Sequence, residues 1–376
     1  MAFFPAGRAR NRSRLTASAT WRAVAAAVAT VIVIVVAGTA SAGKNDLELL
    51  NLCPRHPAPA GVLGGSVQEC SWINRDATNG HIAGVSLGAD VQSQFRSLMS
   101  ELGVVIAPRL QTPADTLGFA GFQFSGELGV TKISAGRDFW NGVSGVNPQS
   151  PTATRPDGYL TTIGAFARKG LWLPLPAFEF GGGVINVVGS NLFALQAYAK
   201  LALQEGFHGW ALPSVAVRAA ASQLVGTDQV DLTVTSFDVL VSKAFSIAGS
   251  ARFEPFLGWN MLFIDARSGV IDATPACDAY ALHAAPQGGA VPSPTCAPMQ
   301  AGTWDDLNAN FTFPRQDVIT RQRFFGGLKL KLAILFLAVE YDLVPAGGSR
   351  DTKQPNGARD ASEKQQTFSL SAGLDF

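Results

Sequence analysis

Apolar and polar side chains alternate along much of the chain after residue 117, and this period of two restricts the fold more than any other feature. Successive side chains of a β-strand point to opposite faces, so the alternation predicts strands with one apolar and one polar face. The final segment shows the pattern most clearly, with its apolar residues at alternate positions: Phe368, Leu370, Ala372, Leu374 and Phe376. We therefore expect an all-β fold from residue 117 to residue 376.

Ten segments carry this alternation, which predicts about ten strands, near 117–133, 159–172, 177–188, 192–204, 213–225, 231–244, 252–264, 319–332, 334–343 and 366–376. An even number is typical of single-chain bacterial membrane barrels, and eight or twelve strands are alternatives. The segment 231–244 is the least regular, because Leu232 and Val234 are out of phase with Phe237 and Val239. A β-bulge is expected to absorb that slip.

The lengths of the connectors support an antiparallel transmembrane β-barrel. The three long connectors, 134–158, 265–318 and 344–365, follow the first, seventh and ninth strands, so all three emerge at the same end. Membrane barrels sort their loops in this way, with short periplasmic turns and longer external loops. A lipocalin-like soluble barrel, with its apolar face inward, is the alternative. Aromatic residues on the apolar face favour the membrane, and they are Tyr159, Trp172, Trp259, Tyr341 and Phe376.

The first 42 residues are typical of a secretory signal peptide. Five arginines (Arg8, Arg10, Arg12, Arg14 and Arg22) precede the apolar run 23–38, and Ala40-Ser41-Ala42 forms a cleavage pattern. A membrane anchor is the alternative, but the run is shorter than the ~20 residues that a spanning helix needs. We therefore predict Sec-dependent export to the outer membrane of a Gram-negative bacterium. The predicted organisation is a signal peptide (1–42), an N-terminal periplasmic extension (43–116) and the barrel (117–376).

The predicted extension begins with an irregular stretch, 43–87, followed by a short amphipathic helix in which Phe95, Leu98, Met99 and Leu102 share one face. Such a helix could plug the barrel or lie against its periplasmic rim. Four cysteines in an exported chain favour two local disulfides, Cys53 with Cys70 and Cys277 with Cys296. The second would staple the long connector 265–318. Neither pair has the spacing of a zinc site.

Two resemblances extend this interpretation. The terminus 368–376 resembles the C-terminal signal that the outer-membrane barrel assembly machinery recognises, with Phe368, Leu370, Leu374 and Phe376 as its apolar positions and Ser371 where Gly is usual. Residues 95–376 are similar to an uncharacterised family of proteobacterial outer-membrane barrels. The similarity rests on 95–98, 112–122, 226–232 and 242–245. It implies the fold and the location, and it implies no catalytic residue.

The polar faces of the strands supply the candidate functional residues. If they line a lumen, its charged residues are Glu127, Glu179, Lys200, Arg218, Asp238, Glu254, Arg323, Lys329, Lys331 and Glu340. They form either a narrow solute path or a filled interior of paired charges, and barrels of eight strands are just narrow enough to be filled. No catalytic, cofactor-binding or metal-binding motif stands out, so we expect no enzyme and no cofactor.

The expected function is a narrow pore or transport component for small or amphiphilic solutes. The alternative is a non-conducting surface barrel whose external loops bind a partner, in an adhesin-like or structural role, and an outer-membrane enzyme ranks third. The expected partners are outer-membrane lipid, lipopolysaccharide and the barrel assembly machinery, and the solute is unknown. A net charge of +1 gives no reason to expect nucleic acid.

Overall fold

A computed structural model describes residues 43–52, 73–78, 82–109, 111–146, 156–171, 177–206, 212–247, 251–273, 308–353 and 357–376. The predicted signal peptide lies outside the described residues. So do Trp172, most of the long connector 265–318 and the four cysteines of the predicted disulfides, Cys53, Cys70, Cys277 and Cys296.

Ten long strands form one closed antiparallel barrel. They are β3 (Phe122–Lys132), β4 (Tyr159–Leu171), β5 (Phe178–Val187), β6 (Phe193–Gln204), β7 (Ser214–Val225), β8 (Val230–Ser242), β10 (Ala251–Ser268), β13 (Ile319–Leu332), β14 (Leu335–Val344) and β15 (Gln365–Asp375). Each pairs with its neighbours in the chain, and β15 pairs with β3 to close the wall. The predicted ten-stranded antiparallel barrel is confirmed.

Shorter elements complete the described chain. They are the 3₁₀ turns Leu49–Leu52 and Asp138–Gly142, the hairpin β1 (Ile73–Arg75) and β2 (Ile82–Val85), the helix α1 (Ala89–Ile106), β9 (Phe245–Ile247), and the pair β11 (Ile271–Asp272) and β12 (Asn310–Phe311). Strand β9 pairs with the start of β10 and extends the barrel wall beyond β8. Among the described helices, none is long and apolar enough to cross a bilayer.

The outer surface of the barrel is apolar and the inner surface carries the polar side chains. Large exposed apolar side chains alternate with buried neighbours along the strands, as at Leu128, Leu195, Phe237, Leu257 and Phe368. A soluble barrel would have the opposite arrangement, whereas a transmembrane barrel turns its apolar face to lipid. The structure therefore has the architecture of an outer-membrane β-barrel.

The two ends of the barrel differ. We call the end from which the connectors after β3, β10 and β14 emerge the loop end, and the end where β3 begins and β15 finishes the terminal end. At the terminal end Phe122 and Phe376 exchange two backbone hydrogen bonds, of 3.1 and 2.8 Å, which complete the β3–β15 seam. Strand β3 begins at residue 122 rather than at 117, because residues 117–121 belong to the segment that leads into it.

The helix α1 lies inside the barrel and fills its loop-end half. Leu98, Met99 and Leu102 belong to one buried apolar cluster with side chains from the barrel wall. The helix also contacts β8, β10, β13 and the 3₁₀ turn 138–142 of a long connector. Of the two predicted positions, the structure places the helix as a plug. Residues 43–52 lie at the loop end with α1, and the periplasmic location of the extension stays a prediction.

This plug explains the irregular phase of β8. Burial alternates without interruption along β8, and no register shift separates it from either neighbour, so the expected bulge is wrong. Leu232 and Val234 face inward with no exposed surface, in the same apolar cluster as Leu262 and Ile264 of β10. The out-of-phase residues are those that pack near α1, because a helix inside the barrel makes apolar side chains favourable on the inner face. A register shift does occur between β6 and β7, at Ala202/Gln204.

Candidate functional site

The candidate site is the interior of the barrel, and its centre is a stretch of chain that crosses the lumen. After α1, residues 107–118, described apart from residue 110, run from the middle of the barrel to the terminal end before β3 begins. We call this stretch the lumen segment. It has little regular structure, so its backbone groups must find hydrogen-bond partners elsewhere. Side chains of the wall supply them.

Where the chain leaves α1, amide, hydroxyl and guanidinium groups of the wall donate hydrogen bonds to its backbone carbonyls. Gln196 of β6 and Ser222 of β7 each donate to the carbonyl of Ile106, both at 2.8 Å. Arg323 donates to the carbonyl of Pro108 at 2.6 Å, and Arg218 donates to that of Arg109 at 3.1 Å. The chain leaving α1 is therefore fixed from β6, β7 and β13, on different sides of the barrel.

Closer to the terminal end, two carboxylates and a lysine form hydrogen bonds with the rest of the lumen segment. Glu340 accepts from the backbone N–H of Gln111 at 2.6 Å, and Glu179 accepts from that of Leu117 at 3.1 Å. The Nζ of Lys200 donates to the carbonyls of Pro113 and Asp115, at 3.1 and 2.9 Å. Each predicted lumen charge in this group therefore binds the protein's own backbone.

Several charged side chains of the interior also form ion pairs with one another. Arg218 Nε and Asp238 are 2.6 Å apart, and neither side chain is more than 1% exposed. Lys200 lies 3.2 Å from Glu179, equally buried. Charges removed from water in this way need partners, since an unpaired buried charge costs several kcal/mol, of order 3–5 when one partner is removed. Several interior charges are thus paired with one another, while Arg168 and Asp238 each keep a buried polar atom without a hydrogen-bond partner among the described residues.

The structure places the predicted lumen residues as follows. Nine are buried on the inner face: Glu127, Glu179, Lys200, Arg218, Asp238, Glu254, Arg323, Lys329 and Glu340. Lys331 also belongs to the interior, but its side chain keeps 32% of its surface exposed at the terminal end. Most of these ten residues lie toward the terminal end of the barrel, while the loop-end half combines an apolar cluster with buried polar side chains such as Arg96 and Glu101.

Sequence reasoning missed several members of the network. Arg168 lies 3.5 Å from Glu127, and Asp375 bridges Lys329 and Lys331, each at 2.8 Å. Their inward positions followed from the strand alternation, so that signal could have found them. Arg109 could not be found in this way, because it belongs to no strand and its lumen position depends on the path of the plug.

Arg109 fits tightly against the wall. Its Nη2 donates to the hydroxyl of Thr162 at 2.5 Å. Its guanidinium occupies the space beside Gly129 of β3, where a Cβ built on that glycine would lie only 1.8 Å from Nη1. The absence of a side chain at Gly129 therefore makes room for the arginine of the lumen segment.

At the loop end, α1 binds the long connectors through polar side chains. Glu101 accepts from the backbone N–H of Ser134, the indole N–H of Trp140 and the backbone N–H of Glu363, at 2.9, 2.8 and 3.1 Å. Arg96 donates to the carbonyl of Asp317 at 2.7 Å and to the hydroxyl of Ser349 at 2.9 Å. All three long connectors are therefore tied to the plug. Sequence reasoning noticed only the apolar face of this helix.

Outside the wall, the connector carboxylate of Asp317 has an altered pKa. Hydrogen bonds from the Lys353 ammonium, the Thr352 hydroxyl and the Thr352 backbone N–H hold its pKa well below the usual range. The ammonium lies 2.8 Å from the carboxylate. The charged form of Asp317 thus links the approach to β13 with the connector that follows β14.

A cavity of about 180 Å³ opens at the terminal end, between the lumen segment and the wall. Its charged lining combines acids with bases, among them Asp115, Arg252, Glu254 and Lys331. Arg252 pairs with Asp115 at 2.6 Å and with Glu254 at 3.3 Å. Within the described part of the chain, no group of three or more His, Cys, Asp or Glu side chains is placed to hold a metal ion.

Comparisons with known proteins identify no family for this chain. No family model matches the chain, and no curated protein matches it. Similar solved structures include the attachment invasion locus protein Ail of Yersinia pestis, with 10% identity, 69% of this chain and 99% of that chain covered, and a TM-score of 0.23.

Two further structures give similar values. Neisserial surface protein A shows 10% identity over 68% of this chain and 95% of that chain, with a TM-score of 0.25. The outer membrane protein Omp33 of Acinetobacter baumannii shows 9% identity over 68% of this chain and 99% of that chain, with a TM-score of 0.22. These are outer-membrane barrels. Likeness at this level carries no argument about activity, and the resemblance to an uncharacterised family stays a prediction.

Proposed function

We propose that this protein is a plugged, non-conducting barrel of the Gram-negative outer membrane, whose role is to hold its loop end in a fixed arrangement at the cell surface. The observation that carries the proposal is the lumen segment, whose backbone is hydrogen-bonded to side chains of β6, β7, β13 and β14. A continuous path for solutes would require the lumen segment to move out of the barrel. The proposal thus favours the surface barrel, with loops that bind a partner, over the narrow pore.

The energetics of the plug support a closed state. Moving the lumen segment out would strip Lys200, Arg218 and Arg323 of backbone acceptors while they remain enclosed by the wall. Hydrogen bonds to charged groups contribute roughly 1.5–3 kcal/mol each. Moving α1 as well would expose the apolar cluster around Leu232 and Ile264. Both effects oppose any movement that removes the lumen segment and α1 from the lumen.

The same proposal includes the partners that the barrel would contact in the outer membrane. The outward apolar band, with residues such as Leu195 and Leu257 more than half exposed, is suited to contact outer-membrane lipid and lipopolysaccharide. The terminal strand, with Phe368 and Phe376 outward, is suited to recognition by the barrel assembly machinery after Sec-dependent export. We assign no catalytic role and no cofactor.

Conductance in planar bilayers tests the proposal. The refolded, heat-modifiable wild-type barrel should carry no steady ion current. The double variant R218A/R323A, which removes two guanidinium donors to the lumen segment, should show intermittent current because the segment is less firmly held. Arg267→Ala is the matched control, since this side chain is half exposed near the loop end and pairs only with Asp265 of the same strand among the described residues. A steady current through the wild-type protein would contradict the plugged state and restore the pore.

A further inference from the structure

The position of the chain before α1 has a topological consequence. Residues 43–52 lie across the loop end, where Asn45 donates its backbone N–H to the carbonyl of Gly189 at 3.0 Å, between β5 and β6. Leu49 donates its backbone N–H to the side chain of Gln229, between β7 and β8, at 2.7 Å. Asn308 of the long connector donates to the carbonyl of Ile82 at 2.7 Å.

Strand β3, which follows in the chain, begins at the opposite end. Its first residue, Phe122, pairs with Phe376 at the terminal end. Between these two locations the chain passes inside the wall, through α1 and then the lumen segment. The described residues that precede α1 are therefore on one side of the barrel, and the start of the barrel sequence is on the other.

We propose that the barrel carries its own N-terminal segment through the lumen and displays the described residues 43–52, 73–78 and 82–88 on the outer surface of the cell. The inference rests on the proposed orientation, with the loop end outward. It goes beyond the plugged state, because it makes the lumen a route that the chain uses once, before the plug is fixed in place.

The fit of the helix determines how the segment crosses. A helix with its side chains is about 10–12 Å wide. At Gly103 the helix approaches the wall so closely that an added Cβ would lie 2.7 Å from the side chain of Ile264. Residues 49–52 form a buried cluster with the connector residues Phe139 and Trp140 outside this constriction. Side chains around α1 from Phe95 to Ile106 are buried, so the helix fills the lumen at this level and leaves no room for a folded segment beside it. The segment therefore crosses as an extended chain and folds at the loop end.

Polar side chains of the wall suit such a passage. Lys200, Arg218 and Arg323 bind backbone carbonyls of the lumen segment, and backbone carbonyls are common to every residue. Contacts of this kind do not depend on sequence, so the same side chains can bind successive residues of a moving extended chain.

Epitope accessibility tests the inference. One variant of the full chain carries a short epitope between Ala77 and Thr78, two exposed residues of the segment before α1. The control carries the same epitope between Phe119 and Ala120, two exposed residues at the terminal end. In intact cells, antibody should bind the first variant at least tenfold more than the second, and permeabilised cells should bind both. Heat-modifiable migration of both variants confirms that each barrel has formed.

Binding of the first epitope only after permeabilisation would overturn the inference, and so would an accessible second epitope. A further arm replaces the first epitope with a small domain locked by a disulfide. Its display should require a reductant during export, since only an extended chain fits the lumen; display of the locked domain would contradict passage through the lumen. None of these outcomes depends on conductance, so the plugged state and the display of the segment can fail separately.

Discussion

At the scale of single residues, the absence of a side chain at Gly129 matters as much as any charge in the lumen. The guanidinium of Arg109 lies where a methyl group would be, and both belong to the buried interior. Because over-packing of an interior costs about 1–3 kcal/mol, Gly129→Ala should lower the urea midpoint of unfolding in detergent clearly. The side chain of Arg109 would also have to leave Thr162.

Strand β3 offers a matched control for this substitution. Gly126 lies three residues earlier and faces outward, with nothing within 4 Å of an added Cβ. Gly126→Ala should leave the midpoint unchanged or raise it slightly, since a glycine within a strand is unfavourable. Equal midpoints for the two variants would show that Arg109 does not occupy this space.

At the scale of elements, α1 connects three loops that the sequence places far apart. Every partner of the Glu101 carboxylate donates a hydrogen bond, through the backbone N–H groups of Ser134 and Glu363, the Ser134 hydroxyl and the Trp140 indole. In Glu101→Gln the amide NH₂ would face at least one of these donors. We expect the connector after β3 to open more often, because a buried bond to a charged group contributes roughly 1.5–3 kcal/mol.

Limited digestion with trypsin measures that opening. The side chain of Arg137 in this connector is 57% exposed, so cleavage after it depends on how often the backbone opens locally. Glu101→Gln should accelerate the cleavage by about tenfold or more. Asp231→Asn is the control, since Asp231 is an exposed loop-end carboxylate that accepts a bond from Gln223 at 2.7 Å. Equal cleavage rates in the two variants would mean that α1 does not restrain the connector.

The strands were predictable and the helix position was not, for physical reasons. Successive side chains of a strand point to opposite faces, so the apolar residues Phe368, Leu370 and Leu374 identify a strand without any knowledge of distant residues. The position of α1 depends on both of its faces. Phe95 and Leu98 suggest a helix with one buried face, but Arg96 and Glu101 on the other are also buried, which only the wrapped connectors make possible. Likewise, Leu232 looked like a register slip because its partner is a helix remote in sequence.

At the scale of the whole molecule, barrel and plug form one folding unit. The inner face is apolar around Val234 and Leu262 and charged around Lys200 and Arg218, and both regions are completed by residues 89–118. A chain that starts at residue 117 should therefore fail to give a heat-modifiable barrel after refolding in detergent. A peptide of residues 89–118 added during refolding should restore part of it. A truncated barrel as stable as the full chain would contradict this dependence.

The seam between β3 and β15 also sets the order of events in folding. It joins the first and last strands of the barrel, so its hydrogen bonds, including those of Phe122 and Phe376, have the greatest separation in sequence of any in the wall. Contacts between distant residues form slowly, because the closure entropy of the intervening chain must be overcome first. Until the last strand arrives, the two edge strands are open. Closure of this seam is therefore expected to be the last and slowest step in forming the wall, and weakening it should delay the appearance of the heat-modifiable band during refolding more than weakening any hairpin of neighbouring strands.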